Sequence, residues 1–288
     1  MKLLTTLFVA ASTTSAAIAD PITIFVTGSR METSSIGLPA AKTVITSDEI
    51  SNSGASTLSE ILRQQSFIQI TNSSGVSGKG SVDIRGFGEL SSFNTVILLD
   101  GQKINRSADQ SSVNLNMLNL TQIDRIEIIK GSAGVLYGHQ SVGGIINIIS
   151  KKNNSLLNST SLEVGSFGRY SAKATVGDYL TKDSSLSLSI EKTEAENYRN
   201  HNDSDLKKLN INFQNKNSFG NTRIFIQRIE DYWLNSGPLS TLSDALNSPR
   251  TSSTKYENDW YDEKGTSFKL IQTKQLSNTD NITIDAFL

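Results

Sequence analysis

Apolar and polar residues follow two different patterns along the chain, and the change between them falls near residue 153. Before it, short apolar runs are mixed with turn residues and helix-start signals. After it, apolar and polar residues alternate one by one. The first pattern is typical of a compact α+β domain, and the second predicts strands with one apolar and one polar face.

Two helices are predicted in the first part. Thr46-Ser47-Asp48-Glu49 and Thr57-Leu58-Ser59-Glu60 each place a hydroxyl residue three positions before a glutamate, which is the arrangement of a capping box. In the second helix the apolar residues recur at the spacing of one helix face. Six strands are predicted beside them, at 43–45, 67–71, 81–85, 94–99, 125–129 and 145–149.

The second part carries about seven alternating segments. They lie at 160–166, 170–176, 184–192, 209–214, 222–232, 268–270 and 282–286. Segment 222–232 alternates less cleanly, since Phe225 and Ile229 oppose Ile224 and Ile226. Such alternation is found in membrane barrels and also in soluble sheets that are buried on one face. The lengths of the connections between the segments distinguish these two architectures.

Long and short connections alternate from the third connection onward. The connections at 195–204 and 233–263 are long, those at 215–220 and 276–278 are short, and a further connection is predicted at 177–183. Long loops at one end and short turns at the other are typical of outer-membrane barrels, so the pattern favours a barrel over a soluble sandwich. The seven predicted strands are an odd number and cannot close into such a barrel, so both edges of their sheet would be unpaired in lipid. We therefore expect these 288 residues to be a fragment of a longer chain.

The N-terminus predicts export. Residues 1–19 combine Lys2, the apolar stretch Leu3–Ala11 and the small residues Ala17 and Ala19, which is the pattern of a signal peptide. The mature chain is expected to begin near Asp20. No later run of about 18 apolar residues occurs, so no transmembrane helix is predicted.

Composition excludes several kinds of site. The chain has no cysteine and two histidines, His139 and His201, so thiolate chemistry, disulfides and multi-histidine metal sites are excluded. A formal charge of −1 gives no indication of a nucleic-acid partner. No nucleophile–base–acid set can be assembled, so no catalytic residues are predicted and the chain is not expected to be an enzyme.

A glycine-rich segment lies between the last two strands of the first part. Residues 126–150 contain Gly131, Gly134, Gly138, Gly143 and Gly144. A phosphate-binding loop would need Lys followed by Ser or Thr after the second glycine of the motif, but His139 and Gln140 follow Gly138. The glycines instead predict tight turns and close packing in the final strands of the domain.

Four blocks together closely resemble the TonB-dependent outer-membrane receptors. They occur in family order as ITIFVTG at 22–28, STLSEILR at 56–63, IRGFG at 84–88 with VILLDG at 96–101, and IDRIEIIKG at 123–131 continuing through LYG to GGIINII at 143–149. The resemblance implies a signal peptide at 1–19, a TonB-box segment at 20–30, an α+β plug domain at 31–152, and the first part of an antiparallel transmembrane β-barrel at 153–288.

The resemblance also implies a function and partners. In this family a plug fills a barrel of about 22 strands, binds a scarce nutrient at its outer apex and is moved by the inner-membrane protein TonB. The chain is therefore expected in the outer membrane of a Gram-negative bacterium, in contact with membrane lipid. The residues expected to bind TonB are Ile22, Thr23, Ile24, Phe25, Val26 and Thr27. As an extended strand, they can pair with the edge of a sheet in the partner protein.

The expected ligand contacts lie in two apical plug loops rich in Ser, Asn and Gly. They are Asn72, Ser73, Ser74 and Ser77 in the first loop, and Asn105, Arg106, Ser107, Asp109 and Gln110 in the second. Arg85, Asp100, Arg125 and Glu127 are instead expected to be buried or interfacial ion partners. The layout is most similar to the cobalamin-receptor branch, which implies a cobalamin-like corrinoid, although ferric-siderophore and haem receptors share these motifs.

The sequence leaves two questions open, namely whether an ion is bound and whether the function is transport. No cofactor is expected except a candidate calcium ion, because Glu194, Glu196, Asp203 and Asp205 supply oxygen ligands around one loop, without a fixed spacing. A secreted or surface β-rich adhesin without transport activity is the alternative function.

Overall fold

The computed structural model describes residues 24–25, 33–34, 41–72, 74–76, 78–105, 113–131, 137–138, 140–151, 158–239, 241–276 and 281–287. Within these ranges, no helix is long and apolar enough to cross a membrane.

The first part of the chain contains nine strands and two short helices in the described ranges. The strands are β1 (Ile24–Phe25), β2 (Thr33–Ser34), β3 (Ala41–Thr46), β4 (Ile68–Thr71), β5 (Ser81–Ile84), β6 (Thr95–Leu99), β7 (Gln102–Lys103), β8 (Ile123–Lys130) and β9 (Gly144–Ser150). The helices are α1 (Ser47–Asn52) and α2 (Leu58–Arg63), and short 3-10 turns cover Gly88–Phe93, Leu115–Met117 and Leu120–Gln122.

Five of these strands form a mixed sheet with the order β3-β8-β9-β6-β7. Strands β6 and β9 pair in parallel, whereas β8 is antiparallel to both β3 and β9. Strands β4 and β5 form a separate hairpin. Apolar residues of the sheet, the hairpin and α2 form one core, in which Leu62, Ile84, Ile126, Ile128 and Ile146 are completely buried. The predicted strands and the α+β character of this part are confirmed.

Both predicted helix starts are confirmed, with one difference. Thr46 and Glu49 form a complete capping box at α1. At α2 the Thr57 hydroxyl accepts from Glu60 N, but the Glu60 carboxylate accepts from Ser56 N at 2.7 Å, one residue before the cap. In both helices the threonine hydroxyl still accepts a hydrogen bond from an N–H group of the first turn, which has no partner within the helix.

The second part is one antiparallel sheet of seven described strands in sequence order, which we call the wall. Its strands are β10 (Ser159–Val164), β11 (Tyr170–Thr181), β12 (Ser184–Ala195), β13 (Ser204–Asn217), β14 (Gly220–Leu234), β15 (Trp260–Gln275) and β16 (Asn281–Phe287), with helix α3 (Leu242–Asn247) inside the β14–β15 connection. All seven alternating segments are therefore strands, longer than predicted at most ends.

The connection predicted at 177–183 is wrong. Strand β11 continues to Thr181, across a register irregularity between Tyr179 and Thr181, and only residues 182–183 turn the chain. Gly177 and the polar residues after it resemble a loop in sequence, but pairing with β12 satisfies their backbone groups. With this change, the short turns at 182–183 and 218–219 lie at one end of the wall, and the longer connections at 196–203 and 235–259 lie at the other, while the connection predicted at 276–278 lies outside the described residues after Leu276.

The wall exposes its apolar residues and covers its polar ones. In β12, Leu186, Leu188 and Ile190 are exposed, while Ser189 and Glu191, on the opposite face of the strand, are buried. This reversal is expected of a barrel whose outer face meets lipid and whose inner face is polar. It also explains the irregular alternation in β14, because Ile229 is buried on the inner face and Phe225 lines a cavity there.

The glycine segment behaves as predicted where the structure describes it. Gly131 and Gly138 have positive φ values of 114° and 84°. Gly143 and Gly144 are required for a different reason, because other backbone segments lie too close for a side chain. A Cβ on Gly144 would lie 2.5 Å from the Ile129 carbonyl oxygen, and one on Gly143 would lie 2.9 Å from that of Asn94.

Candidate functional site: the plug–wall interface and outer apex

The first candidate ligand loop lies at the long-loop end of the wall. Within it, the Asn72 side chain accepts from Ser74 N and Gly75 N, both at 3.1 Å, and donates to Val76 O at 2.6 Å. Asn202, in the connection 196–203, donates to Ser74 O at 2.7 Å. The predicted residues Asn72 and Ser74 are thus held at the long-loop end of the wall.

The second candidate loop is described only at its start. Asn105 accepts from Ile97 N at 2.7 Å and donates to Thr95 O at 3.0 Å, so its side chain extends the β6–β7 pairing. Ser73, Ser77, Arg106, Ser107, Asp109 and Gln110 lie outside the described residues. The ligand contacts therefore remain predictions.

Two outer connections of the wall are joined to each other by arginines. Arg199 donates to the carbonyl oxygens of Gly237, Ser236 and Thr251, and Arg250 donates to Tyr198 O at 2.9 Å. Sequence reasoning missed this role, because the acceptors are backbone carbonyls more than 30 residues away, and these have no sequence signature. The bonds make one ordered cap of the connections at 196–203 and 235–259.

Lys79 connects the apical loop to the wall just below that cap. Its ammonium nitrogen lies 2.6 Å from Asp231 and 3.5 Å from Glu263, and 3.7 Å from the centre of the Trp233 ring. Asn114 donates to the same two carboxylates at 2.9 and 2.8 Å. One plug lysine and one plug amide thus share two wall carboxylates, and Asp231 is almost completely buried.

The plug segment after Asn114 continues along the inner face of the wall. Gln227 donates to Met117 O, Lys208 to Leu118 O at 3.4 Å, and Asn119 to Ser189 Oγ at 3.1 Å. Lys208 also pairs with Glu191 at 2.8 Å, and both side chains are buried. Polar wall residues therefore satisfy the carbonyl groups that this irregular plug segment leaves without intra-plug partners.

Asp100 forms a second ionic contact between plug and wall. Lys269 Nζ lies 3.2 Å from its carboxylate, and Ser150 donates to it from both N and Oγ at 2.7 and 2.8 Å. Burial acts to raise the pKa of Asp100, but the charges of Lys269 and Arg223 and the bonds from Ser150 outweigh it, so the pKa lies below its ordinary value. The prediction that Asp100 is an interfacial ion partner is confirmed.

The lowered pKa of Asp100 predicts a pH dependence of stability. A carboxyl with a depressed folded-state pKa contributes stability that is fully present above its unfolded value of about 3.9 and is lost as pH falls through the lowered value. We expect the difference in unfolding midpoint between the unchanged protein and Asp100→Asn to be constant above about pH 5 and to shrink below about pH 4. Thermal unfolding in detergent measures it, with Glu89→Gln, an exposed plug carboxylate, as the control. A difference that is the same at all pH values would contradict the assignment.

A cavity of about 310 Å³ separates plug and wall near Asp100. Its lining is mixed, with polar residues such as Ser51, Thr121 and Asn212 beside apolar ones such as Leu120, Phe225 and Ile271. The cavity interrupts the packing between plug and wall, and the polar contacts described above join the two parts around it.

Three of the four acidic residues of the candidate calcium loop, which also includes Glu196, make different contacts. Glu194 pairs with Lys192 and accepts from the Tyr170 hydroxyl, and Asp205 lies 3.2 Å from Lys207. Asp203 accepts from Leu234 N through its backbone carbonyl. Among the described residues, no three His, Cys, Asp or Glu side chains converge on a point that could hold a metal ion. Calcium binding stays a prediction.

The predicted TonB box is described at two residues. Ile24 and Phe25 form β1, which pairs antiparallel with β2, and Ile22, Thr23, Val26 and Thr27 lie outside the described residues. A short extended segment at this position agrees with the extended conformation that the sequence pattern predicts.

Known proteins match both parts of the chain. The family model described as "TonB-dependent Receptor Plug Domain" matches residues 34–145. The vitamin B12 transporter BtuB of Vibrio cholerae serotype O1 is 37% identical over 129 residues, which are 45% of this chain and 20% of that protein. The BtuB of Vibrio vulnificus is 35% identical over 133 residues, 46% of this chain and 21% of that protein. The chain thus spans about a fifth of the length of these curated relatives.

Solved structures share the fold over most of the chain. The ferric citrate transporter FecA in its unliganded form has a TM-score of 0.71 at 18% identity, and the match covers 86% of this chain and 39% of that one. FpvA of Pseudomonas aeruginosa with a bound heterologous pyoverdine has a TM-score of 0.70 at 17% identity, covering 91% of this chain and 35% of that one. At these identities the likeness concerns the fold.

A plug seated on the polar inner face of a lipid-facing antiparallel wall defines the class of Gram-negative outer-membrane receptors. The family-model match assigns residues 34–145 to the TonB-dependent receptor plug domain, and the sequence is similar to those of the vitamin B12 transporters over 45% of the chain.

Proposed function

We propose that this chain belongs to a transporter that binds a scarce metal chelate at the plug apex and imports it into the periplasm with energy supplied through TonB. The observation that carries the proposal is the plug itself, which is attached to the inner wall by separate polar contacts beside a cavity of about 310 Å³. Separate polar contacts around a cavity break more readily than a packed apolar core, which supports movement of the plug against the wall.

The ligand class is proposed from the relatives. Those that match in sequence are named as vitamin B12 transporters, and those that match in fold are named for ferric citrate and pyoverdine. Each of these ligands is an organic compound that binds a transition metal. A cobalamin-like corrinoid is the first candidate because the plug sequence matches that branch, and a ferric siderophore is the second. The role is transport, with no chemical reaction assigned to the chain.

The energy-coupling role of the TonB box can be tested by one substitution. Ile24→Pro removes a backbone donor and blocks the extended pairing that augmentation of a partner sheet requires. We expect uptake of labelled cobalamin or ferric siderophore to fall to the background of a strain lacking the receptor, while binding of the same ligand to intact cells persists. The receptor is expressed from its complete gene, and Ile24→Val is the control because it keeps both the donor and the β-branched shape.

The two measurements separate the parts of the proposal. Uptake that survives Ile24→Pro would show that residues 22–27 are not the TonB box. Absence of both binding and uptake in the unchanged receptor, for every chelate tested, would show that the proposed function is wrong and would favour the adhesin.

A further inference from the structure

The cavity of about 310 Å³ between plug and wall, which we call the inner cavity, is lined by more cations than anions. Six charged side chains line it, of which two are acidic and four are basic. They are Asp100, Glu163, Lys151, Lys173, Arg223 and Lys269. With ordinary protonation at neutral pH, the lining therefore carries two positive charges in excess.

Two of the four cations are compensated by the two acids. Lys269 Nζ, from the wall, lies 3.2 Å from the carboxylate of Asp100 in the plug. Lys173 Nζ lies 3.0 Å from the carboxylate of Glu163, and both of these residues belong to the wall. The excess positive charge therefore resides on the two cations that remain.

The first remaining cation, Arg223, has a buried donor without an acceptor. Its Nη2 donates to Ser150 Oγ at 3.1 Å and to Lys151 O at 3.3 Å. Its Nε is buried and has no hydrogen-bond partner among the described residues. The charge of Arg223 acts on Asp100, but Asp100 forms its ion pair with Lys269. A buried charged donor that lacks an acceptor costs free energy, and an anionic acceptor recovers it.

The second remaining cation, Lys151, lies beside Arg223. It follows β9 directly, and its backbone is held by the bond from Arg223 and by donation from its own N to Gln122 O at 2.8 Å. Its side chain lines the inner cavity and forms no ion pair with another described residue. A plug cation and a wall cation thus meet at one end of the cavity. Water can accept from the arginine Nε, but it cannot neutralise the two charges.

The rest of the lining fits an organic molecule. Phe225 and Ile271 of the wall and Leu120 of the plug provide apolar surface, and Ser159 and Ser161 provide hydroxyl groups. The volume of about 310 Å³ is at the lower end of the range of about 300–1,000 Å³ for small-molecule sites. A bare inorganic ion would leave the apolar surface without a contact, whereas a short hydrocarbon chain with charged ends matches both parts of the lining.

The inner cavity lies in the half of the wall nearer the short turns. Strand β14 begins at Gly220, directly after the turn 218–219, and Arg223 is among its first residues. Ile271 is near the end of β15, and Ser159 is at the start of β10. Short turns of outer-membrane barrels face the periplasm, so a ligand reaches this cavity from the periplasmic side and not from the outer apex.

We infer that the inner cavity binds a small dicarboxylate from the periplasm. One carboxylate accepts a charge-assisted hydrogen bond from Arg223 Nε, and the other pairs with the ammonium group of Lys151. The hydrocarbon part between them lies against Phe225 and Ile271. Because Lys151 belongs to the plug and Arg223 to the wall, the bound dianion joins the two parts and stabilises the plug in its place.

The inference is tested by titrating the complete receptor, purified in detergent, with succinate. Calorimetric titration gives the affinity, and thermal unfolding gives the change in midpoint, with ionic strength held constant by sodium chloride. The matched probe is succinamide, which has the same carbon chain and no charge. We expect saturable binding of one succinate per receptor and a higher unfolding midpoint, because a ligand that binds only the folded state stabilises it. Succinamide is expected to do neither, and equal effects of the two compounds would overturn the inference.

Matched variants of strand β14 locate the site. Arg223→Gln removes the charged donor inside the cavity, whereas Arg228→Gln removes a half-exposed arginine from the outer face of the same strand. We expect Arg223→Gln to weaken succinate binding about tenfold or more, as the loss of a hydrogen bond to a charged group does. Arg228→Gln is expected to leave the affinity unchanged. Equal affinities of the two variants would overturn the assignment and would place any bound succinate elsewhere, such as at the outer apex.

Two further measurements complete the test. Displacement of succinate by an equal concentration of inorganic phosphate would overturn the dicarboxylate assignment, because it would show that the apolar lining adds nothing to binding. If Arg223→Gln does not fold, Lys151→Gln takes its place with the same expected loss, and the comparison of succinate with succinamide on the unchanged receptor still decides. Uptake of the metal chelate is measured separately, so failure of this inference leaves the transport proposal untouched.

Discussion

Replacing Gly144 by alanine is expected to prevent the plug from folding correctly. The added Cβ would lie 2.5 Å from Ile129 O and 2.9 Å from the side chain of Ile84, which is completely buried. Neither neighbour can move freely, because Ile129 O belongs to the β8–β9 pairing and Ile84 to the core. Overpacking of a core typically costs about 1–3 kcal/mol, and a backbone clash lies at the upper end of that range or above it.

The effect can be measured as the fraction of receptor whose plug resists protease in isolated outer membranes. Gly165→Ala is the matched control, because its Cβ would lie no closer than 3.5 Å to any neighbour, here Arg169. We expect the control to keep the protection of the unchanged receptor and Gly144→Ala to lose most of it. Equal protection in the two variants would show that β8 and β9 separate more easily than the structure indicates.

The glycine pair also shows what a single sequence can predict. The density of glycine in 126–150 predicts that a backbone without Cβ is needed, and the structure confirms it at Gly143 and Gly144. The neighbours that impose the need, such as Asn94, are remote in sequence. The local sequence therefore predicts that a side chain would not fit at these positions, whereas the tertiary fold determines which neighbouring atoms exclude it.

The wall shows the same division between local and tertiary information. Period-two alternation predicts its strands, because each residue meets either lipid or a polar interior. Strand ends are less predictable, and β11 continues through Gly177 because β12 supplies hydrogen-bond partners over the whole length. Phe225 and Ile229 disturb the alternation for a tertiary reason, since both are on the inner face near the plug.

The candidate site was predicted in outline only. Family resemblance and loop composition predict that Asn72 and Ser74 contact the ligand, and the structure joins their loop to a long connection of the wall through Asn202, while the ligand contact stays a prediction. Lys79, Asn114 and Asp231 had no distinguishing signal, because a lysine after a glycine-rich loop is normally solvated. Their importance depends on burial and on a pairing between residues more than 100 positions apart, which a single sequence does not reveal.

Breaking the pair between Lys79 and Asp231 is expected to loosen the plug from the wall. The Asp231 side chain is 1% exposed, so Asp231→Leu leaves the lysine beside an apolar surface with Glu263 as its more distant partner at 3.5 Å. Removing one member of a buried ion pair costs about 3–5 kcal/mol, because the remaining charge is poorly compensated. We expect Lys79→Met to be destabilising as well, since Asp231 then keeps the Asn114 amide but loses its cation.

A double-mutant cycle isolates the contact between the two parts of the molecule. Thermal unfolding of the unchanged receptor, the two single variants and the double variant gives the coupling energy, and we expect the double variant to be more stable than the sum of the single losses predicts. The same cycle on Arg228 and Glu230, a half-exposed pair 3.0 Å apart on the outer face of β14, should give about 1 kcal/mol or less. Strictly additive losses for Lys79 and Asp231 would mean that the plug is held instead by its other contacts, those of the segment from Met117 to Asn119 and of Asp100 with Lys269. In that case the apical loop could move without releasing the plug, because Lys79 would not couple the apical loop to the wall.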